Sequence, residues 1–164
     1  MTGIVPVATG DQLRQAFGCF PSGVAAVSAL IDDRPVGLAV SSFTSVSLSP
    51  PLVSVCMQHT STTWPILRQS PRLGLSVLSE DHRDTCMRLA GKATDRFAGT
   101  DWTAAAEGGV FVHGATLWLD CSIHAEVPAG DHDIVLLLIH GMRADPRTAP
   151  LVFHGSQFHR LTAA

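Results

Sequence analysis

A chain of 164 residues, 46% hydrophobic and 15% charged, is too apolar for a disordered polymer and favours one domain over two. Its net charge is −3, and Lys92 is the lone lysine among eleven scattered basic residues, which excludes the concentrated positive field of a nucleic-acid binder. The longest clean apolar run, Ile134–Ile139, is strand-sized, so no membrane-spanning helix is expected.

The first expected element is a helix over Asp11–Phe20. Leu13, Ala16, Phe17 and Phe20 recur at helical spacing, Thr9 is the N-cap, and Pro21-Ser22-Gly23 ends it. Val24–Ile31, rich in small and β-branched residues, reads as a strand. Asp32-Asp33-Arg34-Pro35 is turn chemistry, and Val36–Ser41 returns as the second arm of a hairpin. Ser42–Pro51 reads as a serine-rich connection and Leu52–Gln58 as a third strand. In His59-Thr60-Ser61-Thr62-Thr63-Trp64-Pro65, hydroxyl residues meet a proline, the signature of a helix start; the helix runs to about Gln69.

Arg72–Leu78 is the next strand. Ser79 caps a helix over Glu80–Ala90 whose acidic first turn suits the helix dipole, and Gly91 stops it. Lys92–Gly109 reads as a long surface excursion. Leu117–Val127 and Ile134–His140 are strands about the turn Pro128–Asp133, and Leu151–Phe153 is a short terminal strand. These strands arrive in adjacent pairs and do not alternate with helices. The expected class is therefore mostly β (α+β): an antiparallel barrel with short peripheral helices.

The four cysteines form no C-x-x-C pair. With no basic n-region and apolar h-region in Met1–Gly10, they read as reduced core thiols of a cytoplasmic protein. The eight histidines show no metal-ligand spacing, so no metal is expected, and His154 and His159 read as flanking a loop. There is no G-x-S-x-G elbow, and no G-x-G-x-x-G to support a Rossmann-type nicotinamide site. A mean hydropathy of +0.25 is high for a soluble chain and points to surface buried against a second subunit.

Four segments carry chemistry, each with a plainer alternative. The serines of Ser41–Ser49 offer hydroxyls and backbone amides to the polar edge of a flat, nitrogen-rich ring, or else satisfy their own turns. Ser61-Thr62-Thr63 before Trp64-Pro65 offers an anion site, or else Thr62 or Thr63 plainly N-caps the helix. Lys92 and Arg96 supply positive charge to the same anion, or else lie on a solvated loop with an Asp95–Arg96 pair; Phe97 covers a ligand or anchors that loop. Gly130-Asp131-His132-Asp133 places a hydrogen-bonding histidine between two aspartates, or is an ordinary hairpin turn.

In order, these landmarks resemble the short-chain flavin reductases of two-component monooxygenases, the group with the FMN-binding split β-barrel. They are Phe20-Pro21-Ser22-Gly23-Val24, Pro35-Val36-Gly37, Ser41 to Pro51, Leu78-Ser79-Glu80-Asp81, Asp95-Arg96-Phe97, Gly130-Asp131-His132, and Phe153-His154-Gly155 with Phe158 and Leu161. The likeness runs from about Phe17 to Leu161. It implies one flavin reductase-like domain over 1–164, core about 11–161, acting as an NAD(P)H:flavin oxidoreductase.

The resemblance implies FMN or FAD as flavin, NADH or NADPH as hydride donor, a homodimer with flavin near the interface, and a separate flavin-dependent monooxygenase as recipient. It implies that Val40, Ser41 and Ser42 meet the isoalloxazine ring, with Ala39, Phe43, Cys56, Gln58 and Phe97 around the flavin. Ser61 and Thr62 would take the ribityl phosphate with Lys92 or Arg96. Gly130, Asp131, His132 and Phe158 would meet the nicotinamide, His132 orienting it. The chain has no tyrosine, and Phe158 stands where relatives often carry an aromatic hydroxyl; Ser49 stands where aspartate is common. Alternatives are a protein that keeps its flavin and reduces another acceptor, and a flavin-binding module without reductase activity.

Overall fold

A computed structural model describes residues 3–163. Of the span 1–164 expected as one domain, the extreme ends therefore lie outside the described residues. After helix α1 (Gly10–Phe17) come strands β1 (Ser22–Gly23), β2 (Ala25–Ile31), β3 (Arg34–Val40), β4 (Thr44–Leu48) and β5 (Pro51–Gln58). Helix α2 (Trp64–Leu67), strand β6 (Leu73–Val77), a 3-10 turn (Glu80–His82) and helix α3 (Arg83–Ala90) follow. The chain continues as β7 (Trp102–Ala104), β8 (Val110–Val112), β9 (Leu117–Ala129), β10 (His132–Ala144), β11 (Val152–His154) and β12 (Gln157–His159).

Seven strands form one antiparallel sheet in the order β3-β2-β6-β9-β10-β5-β4. Its edge strands, β3 and β4, are joined by Ser41-Ser42-Phe43 alone. Laid flat, seven strands would hold the edges roughly 29 Å apart. The link from Val40 to Thr44 reaches ~14 Å at most. The sheet must therefore curl until its edges approach. Among the described residues no ladder joins β3 to β4. The result is a barrel split along one seam, with the serine link bridging it.

Two cores explain the sequence pattern. Val27, Val40, Val55, Leu75 and Leu137 meet inside the barrel. Val24, Ala26, Leu78, Leu89, Phe97 and Leu151 meet between the outer face of β2 and helix α3. Strand β2 is buried on both faces, which is why Ala25–Ile31 is apolar at every position but Ser28 rather than alternating. Gly74 is required by close approach: a Cβ there would collide with the Val110 backbone of β8. Asp32 and Asp33 both have positive φ (48° and 60°), the geometry of a tight two-residue hairpin between β2 and β3.

Several expectations change. Ser42–Pro51 is not wholly a connection; it contains β4, which pairs with β5. The excursion Lys92–Gly109 contains β7, which pairs with β8, a strand the pattern did not mark. The strands after Leu117 form one long hairpin, with only Gly130-Asp131 as its turn. The N-terminal helix stops at Phe17 and α2 at Leu67. The helix expected from Glu80 is a 3-10 turn leading into α3, and Ser79 caps that turn reciprocally with His82. Thr9 caps α1 as expected, accepting from the Gln12 amide. All four cysteines are free, but only Cys86 and Cys121 are core thiols; Cys56 is half-buried and Cys19 exposed. No described helix is long and apolar enough to cross a membrane.

Candidate functional site

A cleft of about 830 Å³ opens at the seam of the barrel. Three chain segments build it: the end of β3 with its serine link, the end of β5 with the threonine-rich turn into α2, and the end of α3 with the loop behind it. Eleven residues singled out from the sequence line it: Ala39, Val40, Ser41, Ser42, Cys56, Gln58, Ser61, Thr62, Lys92, Arg96 and His132.

The serine link is held by one side chain. Ser42 Oγ accepts from the Cys56 amide at 2.8 Å, so that hydroxyl fastens the link to β5. The backbone amides of Ser41 and Ser42 have no partner among the described residues and remain available as donors.

At the other end, Ser61 Oγ accepts from the Trp64 amide at 3.1 Å. Ser61 thus caps α2, a role the sequence suggested for Thr62 or Thr63; the N-cap Thr63 makes no side-chain capping bond. The Thr62 and Thr63 amides have no partner among the described residues. Trp64 keys this turn to the barrel: its indole N–H donates to Glu126 at 3.2 Å, and Arg68 meets the same carboxylate at 2.6 Å.

The two cations differ. Arg96 donates to the carbonyls of Gly37 and Leu89, each at 3.3 Å, tying its loop to β3 and α3. Lys92 is exposed and makes no ion pair among the described residues. The expected Asp95–Arg96 pair is absent among them; Asp95 accepts from the Phe97 amide instead.

The β9–β10 hairpin brings His132 to the cleft, in register with Gln58 of β5. Its Nδ1 lies 2.7 Å from the Asp131 carboxylate, and this contact holds the Asp131 carboxyl below the usual carboxylate range. Asp133 faces away and meets His59 at 2.9 Å. The His59 amide also donates to the Asp131 carbonyl at 3.0 Å, clamping the hairpin tip to the end of β5.

Five expected residues lie outside the cleft lining. Phe97 is 4% exposed within the outer core, so it anchors the loop. Phe43 packs against the barrel core. Gly130 and Asp131 form the hairpin tip, and Asp131 reaches the cleft only through His132. Phe158 stacks obliquely on Phe153, centroids 5.3 Å apart. Together they wall an apolar slot of about 350 Å³ that adjoins the cleft at Ala39, Val40 and Ser41. Thr63, part of the expected anion site, also lines the cleft, and Leu38, Met57, Thr60, Leu89 and Ala90 line it without having been singled out. The hydroxyl run before Pro65 was the available signal for Thr60.

A split antiparallel barrel, with a cleft between unpaired backbone donors at one end and two cations at the other, has the chemistry to take a flat polar ring with an anionic tail. The flavin reductase like domain matches residues 17–162, and the chain belongs to that family.

Actinorhodin polyketide dimerase of Streptomyces coelicolor is 38% identical over 155 residues, 93% of this chain and 86% of that protein. The flavin-dependent monooxygenase reductase subunit HsaB of Rhodococcus jostii is 33% identical over 147 residues, 90% of this chain and 75% of its own. Among solved structures, the Streptomyces globisporus C-1027 NADH:FAD oxidoreductase SgcE6, in complex with NAD and FAD fragments, superposes with a TM-score of 0.88. It is 33% identical, and the match covers 96% of this chain and 98% of that one.

Proposed function

We propose that this chain is an NAD(P)H-dependent flavin reductase whose single domain passes reduced flavin to a separate monooxygenase. The observation that carries the reading is the convergence of the Ser41-Ser42 link, the Thr62-Thr63 turn and Lys92–Arg96 on one cleft. The donor set fits a flavin mononucleotide unit. Free amides and hydroxyls suit a heterocyclic edge, apolar Leu38, Val40 and Met57 suit a ring face, and two cations with free amides suit a phosphate.

A bound flavin and a reduced nicotinamide supply the hydride chemistry between them. The protein's part is placement. The Ser41 and Ser42 amides offer donors where negative charge accumulates. His132, oriented by Asp131, would hold the nicotinamide at the cleft, and its contribution to the rate would be placement. No side chain is needed as nucleophile.

HsaB, named as a monooxygenase reductase subunit, supports a partner oxygenase as recipient. Leu48 at 97% exposed on edge strand β4, with Phe17 and Phe20 at the end of α1, offers apolar surface for a homodimer. Four free cysteines and the use of reduced nicotinamide suit the cytoplasm.

The test is steady-state NADH oxidation with and without added FMN or FAD. A rate that saturates with free flavin is expected. No NADH oxidation with either flavin overturns the reading, and a rate that requires a third acceptor replaces it with a reductase that retains its flavin.

A further inference from the structure

His59 and Asp133 do not line the cleft, yet they join the two strand ends that form its rim. Successive side chains of a strand leave opposite faces. On β10, His132 therefore turns into the cleft and Asp133 away from it, onto His59, the residue that follows the last ladder position of β5. His59 Nε2 lies 2.9 Å from an Asp133 carboxylate oxygen, and its N–H donates there.

The hairpin tip has little else to fix it. Residues 127–131 are exposed, and a Cβ on Gly130 would meet nothing within 4 Å. Across residues 127–134, His59 supplies the only side-chain hydrogen bond from outside the hairpin among the described residues. The side chains are 46% and 26% exposed, and a surface pair of that kind adds little to global stability. What it governs is direction. It ties the segment that carries His132 to the end of β5, where Gln58 and Thr60 line the cleft.

We propose that His59 and Asp133 form a positioning pair for the hydride donor: their contact fixes the β9–β10 tip so that His132 stands where a reduced nicotinamide meets it. This rests on the reductase reading above, with His132 at the nicotinamide, and adds a pair that touches neither substrate.

Steady-state kinetics of the full chain, with NADH and flavin varied in turn, test it. His59→Ala is expected to raise the KM for NADH roughly four-fold, with kcat and the KM for flavin within about two-fold. Asp133→Ala should match it, and the double substitution should be no worse than either. The melting temperature should stay within about 2 °C of the parent, which separates positioning from loss of fold. His59→Gln, whose amide still donates to Asp133, should restore most of the NADH value. The decisive arm is the His132→Ala background. There His59→Ala should change the NADH KM by less than about 1.5-fold, because the group it positions is gone. A full further rise in that background would mean that His59 meets NADH itself. An unchanged NADH KM in His59→Ala alone would mean that the tip holds without the pair. Either result overturns the proposal and leaves the reductase reading standing. If His132→Ala itself leaves the NADH KM at the parent value, the nicotinamide contact and the pair fall together.

Discussion

Ser42 Oγ accepts the Cys56 amide hydrogen at 2.8 Å, one step beyond the point where β4 leaves its ladder with β5. The side chain therefore replaces a ladder bond at the seam and fixes the start of the serine link. Ser42→Ala leaves a half-buried N–H unpaired, at a cost of ~1 kcal/mol. For a chain of this size the melting temperature should fall by about 2–4 °C. Ser42→Thr keeps the acceptor and should restore it. A melting temperature unchanged in the alanine variant would show that the bond does not hold the seam.

Much of this was legible in the chain. The Asp32-Asp33 turn, the apolar strands and the α3 stop at Gly91 follow from local chemistry, and the serine and threonine runs were marked as site segments. What local pattern did not reveal was pairing. Strand β4 is serine-rich and largely exposed, so nothing but its ladder with β5 makes it a strand. Phe97 was read as covering a ligand or anchoring its loop, and the resemblance placed it around the flavin. Its ring instead fills the space that Gly37 leaves; a Cβ at Gly37 would lie 3.1 Å from it.

Lys92 and Arg96 share the cleft but should separate by mutation. Lys92→Ala removes a cation without a structural bond, so FMN affinity should drop roughly ten-fold with the melting temperature unchanged. Arg96→Ala also frees the Gly37 and Leu89 carbonyls and should lower both affinity and melting temperature. Riboflavin, which lacks the phosphate, should lose little affinity in Lys92→Ala. Equal losses for FMN and riboflavin would remove Lys92 from the phosphate site.

His132→Ala should raise the KM for NADH roughly ten-fold while the KM for flavin changes less than two-fold. The histidine sits at the mouth of the cleft on a hairpin clamped independently by His59, so removing the ring leaves the tip in place. Asp131→Asn keeps a hydrogen-bond acceptor and should show a smaller effect of the same kind. Steady-state kinetics with each substrate varied in turn decide it; equal effects on the two constants would count against nicotinamide contact.

His82 couples folding to pH. Its Nδ1 accepts from the Ser79 amide at 3.0 Å and its Nε2 lies 2.9 Å from the His113 carbonyl, so the ring is held neutral between two segments. Burial lowers its pKa from the ordinary 6.5, against the raising influence of the His113 carbonyl and Asp81. Below that ordinary value the unfolded chain binds the proton and the folded chain resists it. The stability contributed by His82 is therefore whole above pH 6.5 and lost as pH falls through the lowered folded value. Urea midpoints at pH 7.5 and 5.5 should show lower stability at 5.5, and His82→Gln should flatten that difference. A parent protein equally stable at the two pH values would contradict it.

The cysteines provide a chemical map of the cleft. Burial pushes the Cys86 thiol up to about 11 and Cys121 up to about 12, so neither forms thiolate at pH 8 and neither should alkylate in the folded protein. Cys19 is exposed and Cys56 lines the cleft. Iodoacetamide at pH 8 should therefore label Cys19 and Cys56 alone. Saturating flavin should protect Cys56 and leave Cys19 reactive, since of the two only Cys56 lines the cleft. Peptide mass spectrometry reads all four sites at once. Labelling of Cys56 unaffected by flavin would place the ring elsewhere than against β5, because a ring seated between the Ser41 link and the end of that strand shields the thiol.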